Sequence, residues 1–223
     1  MAALSLAVID AGVGNLFSLG AALDAVGASW RLVGVDEAGA GERLAAADGI
    51  LLPGVGAFAP AMERLRRSGV AESVRRLAEE GMPVMGICLG FQLLFQGSEE
   101  GASDPGHPLP GLGLLPGVVR RLPPGDPVPH VGWSPVHWEG EPPAPLEGTG
   151  RGEPFYFVHS YAVAVEAAGP PAGDLRWAWA EYNGLRLAAV AAGGNLWGSQ
   201  FHPEKSGPAG LALLGRFARR CGC

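Results

Sequence analysis

Cys88 stands in the segment Gly86-Ile87-Cys88-Leu89-Gly90, between an apolar run (Pro83 to Ile87) and a helix-compatible stretch (Leu89 to Phe95). A thiol at a strand-to-helix bend is exposed at the turn, and glycine on both sides lets the chain turn sharply there. A helix N-terminus adds positive potential, which favours thiolate over thiol. The N–H of Leu89 would point toward an oxyanion developing on an acyl group attacked by the sulfur. The competing reading is a buried structural cysteine, since free cysteine is among the most buried residue types. A nucleophile needs a base, and that separates the two.

Five histidines are available. His202-Pro203-Glu204 follows a strand-like run, and with Pro203 holding the chain extended, His202 and Glu204 project to one side at period two. A carboxylate so placed holds one imidazole nitrogen while the other faces the thiol. Taken alone the pair is also compatible with a surface turn beginning at a proline. Pro53-Gly54-Val55-Gly56 closes another apolar run, at the strand end where parallel sheets form binding crevices. Its glycines could aim a second N–H at the oxyanion; a plain strand-to-helix turn is the alternative. Gly12-Val13-Gly14 is not a dinucleotide fingerprint, because Phe17 occupies the third glycine position. His107, His130, His137 and His159 have no cysteine or carboxylate at metal-ligand spacing, so neither metal nor cofactor is expected. Cys221 and Cys223 fall on a C-terminal tail expected to fray, and are read as incidental.

These residues need a scaffold, and the N-terminal half supplies an alternating one. Leu4 to Ile9, Trp30 to Val35, Gly49 to Leu52 and Pro83 to Ile87 read as short buried strands. Between them lie helical patterns at Leu16, Leu19 and Leu23, at Phe58, Met62 and Leu65, and at Val70, Val74 and Leu77, the last ending at Gly81. Strands alternating with helices predict a mostly parallel sheet covered on both faces. Twelve of the twenty prolines lie between Pro105 and Pro145, which excludes long helices there and leaves short edge strands at Val118-Val119 and Val128 to Trp133. The last third is β-rich: Phe155 to Val165, then Arg176 to Tyr182 joined by an Asn183-Gly184 turn to Leu185 to Ala192, then Leu196 to Phe201. An amphipathic helix, Leu211 to Arg220, closes the chain.

The chain has 223 residues, 48% hydrophobic and 17% charged, which predicts a single domain over 1–223 with ample material for a core. Its net charge of −6 carries no basic face, so no nucleic-acid partner is expected. The arginines at 64, 66, 67, 75 and 76 read as solvated helix faces. No apolar run is long enough to span a membrane, the N-terminus lacks the basic segment of a secretory signal, and three cysteines without a disulfide framework point to a reducing cytoplasm. Lys205 is the only lysine, and Asn15, Asn183, Asn195, Gln92, Gln96 and Gln200 are the only side-chain amides.

Gly86-Ile87-Cys88-Leu89-Gly90-Phe91-Gln92 with Phe201-His202-Pro203-Glu204 resembles the class I (triad) glutamine amidotransferases, in order and over nearly the whole chain. Finer features are similar to one branch, the glutaminase subunits of imidazole glycerol phosphate synthases: Asp10 with Gly12-Val13-Gly14-Asn15, Pro53-Gly54-Val55-Gly56-Ala57-Phe58, Pro129-His130-Val131-Gly132-Trp133, Tyr156-Phe157-Val158-His159-Ser160-Tyr161, and Lys205-Ser206. Ala11, Ser134 and Gly207 depart from that branch. The resemblance implies a flavodoxin-like α/β fold, a cytoplasmic enzyme without cofactor, L-glutamine as substrate, and a (β/α)8-barrel cyclase subunit that consumes the ammonia. It further implies Cys88 as nucleophile, His202 as base and then acid, and Glu204 as its orienter. Leu89 with Val55 or Gly56 would supply oxyanion N–H groups. Gln92 and the backbone near Ser160 and Tyr161 would hold glutamine, and Asn15, Trp133 and Lys205 would meet the partner. A glutaminase of the vitamin B6 type and a stand-alone cysteine hydrolase are the alternatives within this fold; the complete Cys-His-Glu set argues against a non-enzymatic binding module.

Overall fold

The computed structural model describes residues 5–12, 14–104, 106–169 and 173–222; Leu4, Val13, Pro105 and Cys223 of the segments above lie outside them. The N-terminal half runs β1 (Leu6–Asp10), α1 (Leu16–Ala25), β2 (Trp30–Gly34), α2 (Ala40–Ala45), β3 (Gly49–Gly54), α3 (Phe58–Arg67), α4 (Val70–Glu79), β4 (Val84–Cys88) and α5 (Leu89–Leu94). Then come β5 (Phe95–Ser98), β6 (Leu109–Pro110), β7 (Leu115–Arg121), β8 (His130–Pro135), β9 (Pro154–His159), β10 (Tyr161–Ala162), β11 (Arg176–Tyr182), β12 (Leu185–Gly193), β13 (Leu196–Ser199) and α6 (Gly207–Arg220).

A seven-stranded sheet in the order β11-β12-β13-β4-β3-β1-β2 forms the centre. From β2 to β13 its neighbours are parallel, and β12 and β11 add an antiparallel edge. β1 shows why its sequence lacks polar alternation. Ala7 and Ile9 enter the core layer shared with α2, α3 and α4, whereas Leu6 and Val8 enter the layer shared with α1 and α6. A strand covered on both faces must be apolar at every position. A four-stranded sheet, β10-β7-β5-β6, and the β8–β9 hairpin sit beside this frame.

Several expectations are corrected. α2 has no counterpart among the predicted helices, because its six residues are too short to show a periodicity. The predicted strand over 155–165 breaks at Ser160, β9 pairing with β8 and β10 with β7. Leu196 to Phe201 leaves the sheet after Ser199. Cys221 does not fray: it caps α6, is buried in the core, and packs so closely on Gly49 that a Cβ there would lie 2.3 Å from its sulfur. Arg64 is not merely solvated; it donates to the Ala11 carbonyl at 2.7 Å and pairs with Asp36, bracing the loop after β1. Among the described residues no helix is long and apolar enough to cross a membrane.

Candidate active site

The register of the sheet brings the chemistry together. Gly54 of β3 lies opposite Cys88 of β4, and Ser199 of β13 opposite Ile87. Chain leaving these three adjacent strands therefore carries Val55 and Gly56, Leu89, and Gln200 to Glu204 to one edge. It is the C-terminal edge of a parallel sheet, where such folds open their crevices.

Cys88 itself takes the strained conformation, with φ +55° and ψ −109°. A non-glycine residue held there costs of order 1–3 kcal/mol and is commonest at functional sites. The flanking glycines serve close approach rather than turning. A Cβ on Gly90 would lie 1.6 Å from the Leu52 carbonyl oxygen, and one on Gly86 would meet the backbone of Gly90 and Phe91 at 2.6 Å. Only hydrogen lets α5 start directly against β3.

His202 Nδ1 and Glu204 Oε1 are 2.8 Å apart, both side chains nearly inaccessible. Pro203 to Lys205 form a 3₁₀ turn rather than the extended segment the proline suggested, so the turn, not strand alternation, juxtaposes the two. His202 Nε2 is buried and has no ordinary hydrogen-bond partner, and Cys88 is among the groups that act on the imidazole. Burial pushes the imidazole down, but interaction with Cys88 and Glu204 outweighs it and holds His202 up at about 9.

A cavity of about 350 Å³ opens in front of Cys88. Val55, Gly56, Leu89, Gln92, Glu100, Pro129 and Val158 to Tyr161 complete its wall. Gln92 donates through Nε2 to the Tyr161 carbonyl (2.8 Å) and to Gln200 Oε1 (3.0 Å), and Gln200 Nε2 reaches Cys88 Sγ at 3.9 Å. The Tyr161 carbonyl can only accept, which fixes the amide orientation and leaves Gln92 Oε1 as the atom it can offer a ligand. Tyr161 O also accepts from His159 Nδ1 at 3.0 Å, so this carbonyl is not free for one. Glu100 is the lining residue that sequence reasoning missed. Its Oε2 accepts from the Phe58 N–H at 2.8 Å, at the start of α3. Glu99-Glu100-Gly101 reads as an ordinary surface turn, and only the packing of that turn over α3 puts a carboxylate in the cavity.

Asn15, Trp133 and Lys205 lie outside this cavity. Asn15 caps α1 through the Ser18 N–H at 3.1 Å and, with His202 and Glu204, lines a separate small crevice. Trp133 is exposed on the hairpin, its ring 6.0 Å from that of Tyr156, and Lys205 Nζ sits 5.9 Å over the same Tyr156 ring. No cluster of three or more potential metal-ligating side chains occurs among the described residues.

Known proteins share this fold. Solved structures of similar fold include one described as a glutamine amidotransferase (TM-score 0.70, 21% identity, 97% of this chain and 99% of that one). Another is PurLQS from Thermotoga maritima (TM-score 0.69, 19% identity, 97% and 98%). In sequence, the chain is 45% identical to the imidazole glycerol phosphate synthase subunit HisH of Moorella thermoacetica over 95% of this chain and 93% of that protein. It is 42% identical to the protein of the same name from Gloeobacter violaceus, over 97% and 89%. The family model of class-I glutamine amidotransferases matches residues 7–221, and with that extent of match the chain belongs to the class-I glutamine amidotransferase family.

Proposed function

We propose that the chain is the glutaminase subunit of an imidazole glycerol phosphate synthase. It hydrolyses L-glutamine to glutamate and passes the ammonia to a (β/α)8-barrel cyclase subunit, which makes imidazole glycerol phosphate and AICAR in histidine biosynthesis. The observation that carries the chemistry is the strained Cys88 facing the His202–Glu204 pair at the mouth of an amino-acid-sized cavity. The pathway rests on the extensive identity to the HisH relatives.

The cavity suits the substrate. Glu100 offers a carboxylate to an α-ammonium, and Gln92 Oε1 an acceptor beside it. The Cys88 sulfur attacks the carboxamide carbon with His202 already holding the proton of the pair. The oxyanion is met by the N–H of Leu89 and one from Val55 or Gly56. Gly56, with φ +104° and open space around it, can swing that N–H. The C–N bond then breaks as His202 returns the proton to the leaving nitrogen, releasing ammonia and leaving a thioester. Water, deprotonated by the same imidazole, opens the thioester to glutamate. Glu204 holds Nδ1 and stabilises the imidazolium throughout.

For the partner, Val131, Trp133 and Phe17 are exposed, and Lys205, next to Glu204 in the chain, sits over Tyr156. Ammonia made at Cys88 has a short route to a cyclase docked there. The test is Cys88→Ala assayed with the barrel cyclase. Glutamine-dependent synthesis should vanish while synthesis from added ammonia stays near wild type, because the thiol acts only in making ammonia. Retained glutamine turnover would overturn the assignment of Cys88, and full, partner-independent glutaminase activity would favour a stand-alone hydrolase.

A further inference from the structure

His130 and His159 are buried side by side and have no part in the chemistry above. Their contacts form one directional chain. His159 Nδ1 lies 3.0 Å from the Tyr161 carbonyl, which only accepts, so Nδ1 carries the proton and Nε2 is the acceptor. His130 Nδ1 is 3.1 Å from that Nε2 and must donate to it; His130 Nε2 then accepts from the Ser134 hydroxyl at 2.8 Å. With both rings neutral, every atom in the row has one consistent role. Burial supports this: it pushes His130 down, and with His130 as neighbour it pushes His159 down to about 3. The rings are also clamped, His130 stacking on Phe157 and Tyr182 with centroids 5.0 Å and 4.1 Å away.

At its inner end the row meets the carbonyl that holds Gln92, whose Nε2 also holds Gln200. At its outer end Ser134 belongs to β8, the strand that exposes Val131 and Trp133. Buried ring nitrogens must find partners in any case; here the row they form ends on the carbonyl that holds Gln92. We infer that His130 and His159 are positioning residues for the glutamine pocket: the row Ser134–His130–His159 fixes the Tyr161 carbonyl, and through it the orientation of Gln92, from the β8–β9 hairpin. This rests on the reading of the cavity as the glutamine site.

The test is steady-state turnover of L-glutamine by the full chain in complex with the barrel cyclase subunit, with alkylation of Cys88 by iodoacetamide as a readout of the nucleophile alone. In His159→Gln the amide nitrogen takes the place of Nε2 and the donor to Tyr161 is lost. KM for L-glutamine should rise about tenfold, the factor set by one hydrogen bond of ordinary strength, with kcat changing less than about threefold. The alkylation rate should not move. In His159→Asn the amide nitrogen falls near Nδ1, keeps that donor, and should recover most of the lost affinity. A His159→Gln KM within about twofold of wild type, or a His159→Asn loss as large as that of His159→Gln, would overturn the inference. Should His159→Gln not fold, Ser134→Ala decides: a KM raised about two- to threefold supports the row and an unchanged KM overturns it. A wild-type complex that does not turn over glutamine at all removes the functional reading itself; one that does, with unaltered variants, removes only the role of the histidines.

Discussion

At His202 burial and its partners pull the imidazole in opposite directions, and the partners prevail. With Glu204 and Cys88 raising it, His202 holds a proton that an isolated imidazole would release near neutrality. Glu204→Gln keeps the shape but removes the charge. Its glutamine turnover should fall by about 10- to 100-fold, less than the roughly 10²- to 10⁴-fold expected when His202 itself is replaced by alanine. The protonation states also set a stability profile. His202, raised above its unfolded value, contributes stability that is present below about pH 6.5 and lost as pH climbs through about 9. His159, depressed, contributes stability that is present above about pH 6.5 and lost as pH falls toward about 3. Urea unfolding at about pH 4.5, 6.5 and 9.5 should therefore give its highest midpoint near 6.5. The alkaline decline should be shallower in Glu204→Gln.

The elements that carry these residues are held by backbone proximity more than by side-chain contacts. α5 begins where β4 ends, against β3, and Gly90 has the Leu52 carbonyl where a methyl group would go. Phe91 fills the space over Gly198 of β13 in the same way, a Cβ there falling 2.0 Å from its ring. Gly90→Ala cannot be absorbed by rotating a side chain, because the obstacle is backbone. It should destabilise the chain by at least about 3 kcal/mol, beyond the ordinary range for overpacking. The change will be read as a drop in the urea midpoint with an unchanged m-value. A Gly90→Ala chain as stable as wild type would mean that α5 can lift from β3, and that the Cys88 elbow is not fixed by the sheet.

On the scale of the whole molecule, the cavity opens at one edge of the sheet, and Lys205 follows Glu204 directly onto the exterior beside Tyr156. A chain that elsewhere uses fifteen arginines keeps its one lysine there. A compact ammonium on a flexible stem reaches and hydrates differently from a guanidinium fork, which suits a contact with a carboxylate at the rim of a barrel. Breaking such a pair, once desolvated in an interface, costs roughly 2–5 kcal/mol, against about 0–1 kcal/mol for a pair left in water. Lys205→Ala should thus weaken partner binding and uncouple glutamine hydrolysis from synthesis, with ammonia-dependent synthesis nearly intact. Unchanged affinity and stoichiometric coupling would return Lys205 to a solvated side chain.

What the sequence determined by itself was local: the residues proposed as nucleophile, base and orienter lie in two short segments, and the buried parallel strands announce themselves as unbroken apolar runs. These signals survive in sequence because they depend on neighbours a few residues away, on period and on turn chemistry. Glu100, Gln200 as a partner of Gln92 and Cys88, the burial of Cys221 and the histidine row were decided only by tertiary structure. Gln92 and Gln200 are 108 residues apart and His130 and His159 are 29 apart, and no periodicity relates such positions. The purpose of Gly86 and Gly90 was likewise hidden. In sequence a glycine signals conformational freedom, but here the positive φ fell on Cys88, and the glycines are required by carbonyls and backbone from strand β3 and helix α5 that only the packed sheet brings within reach.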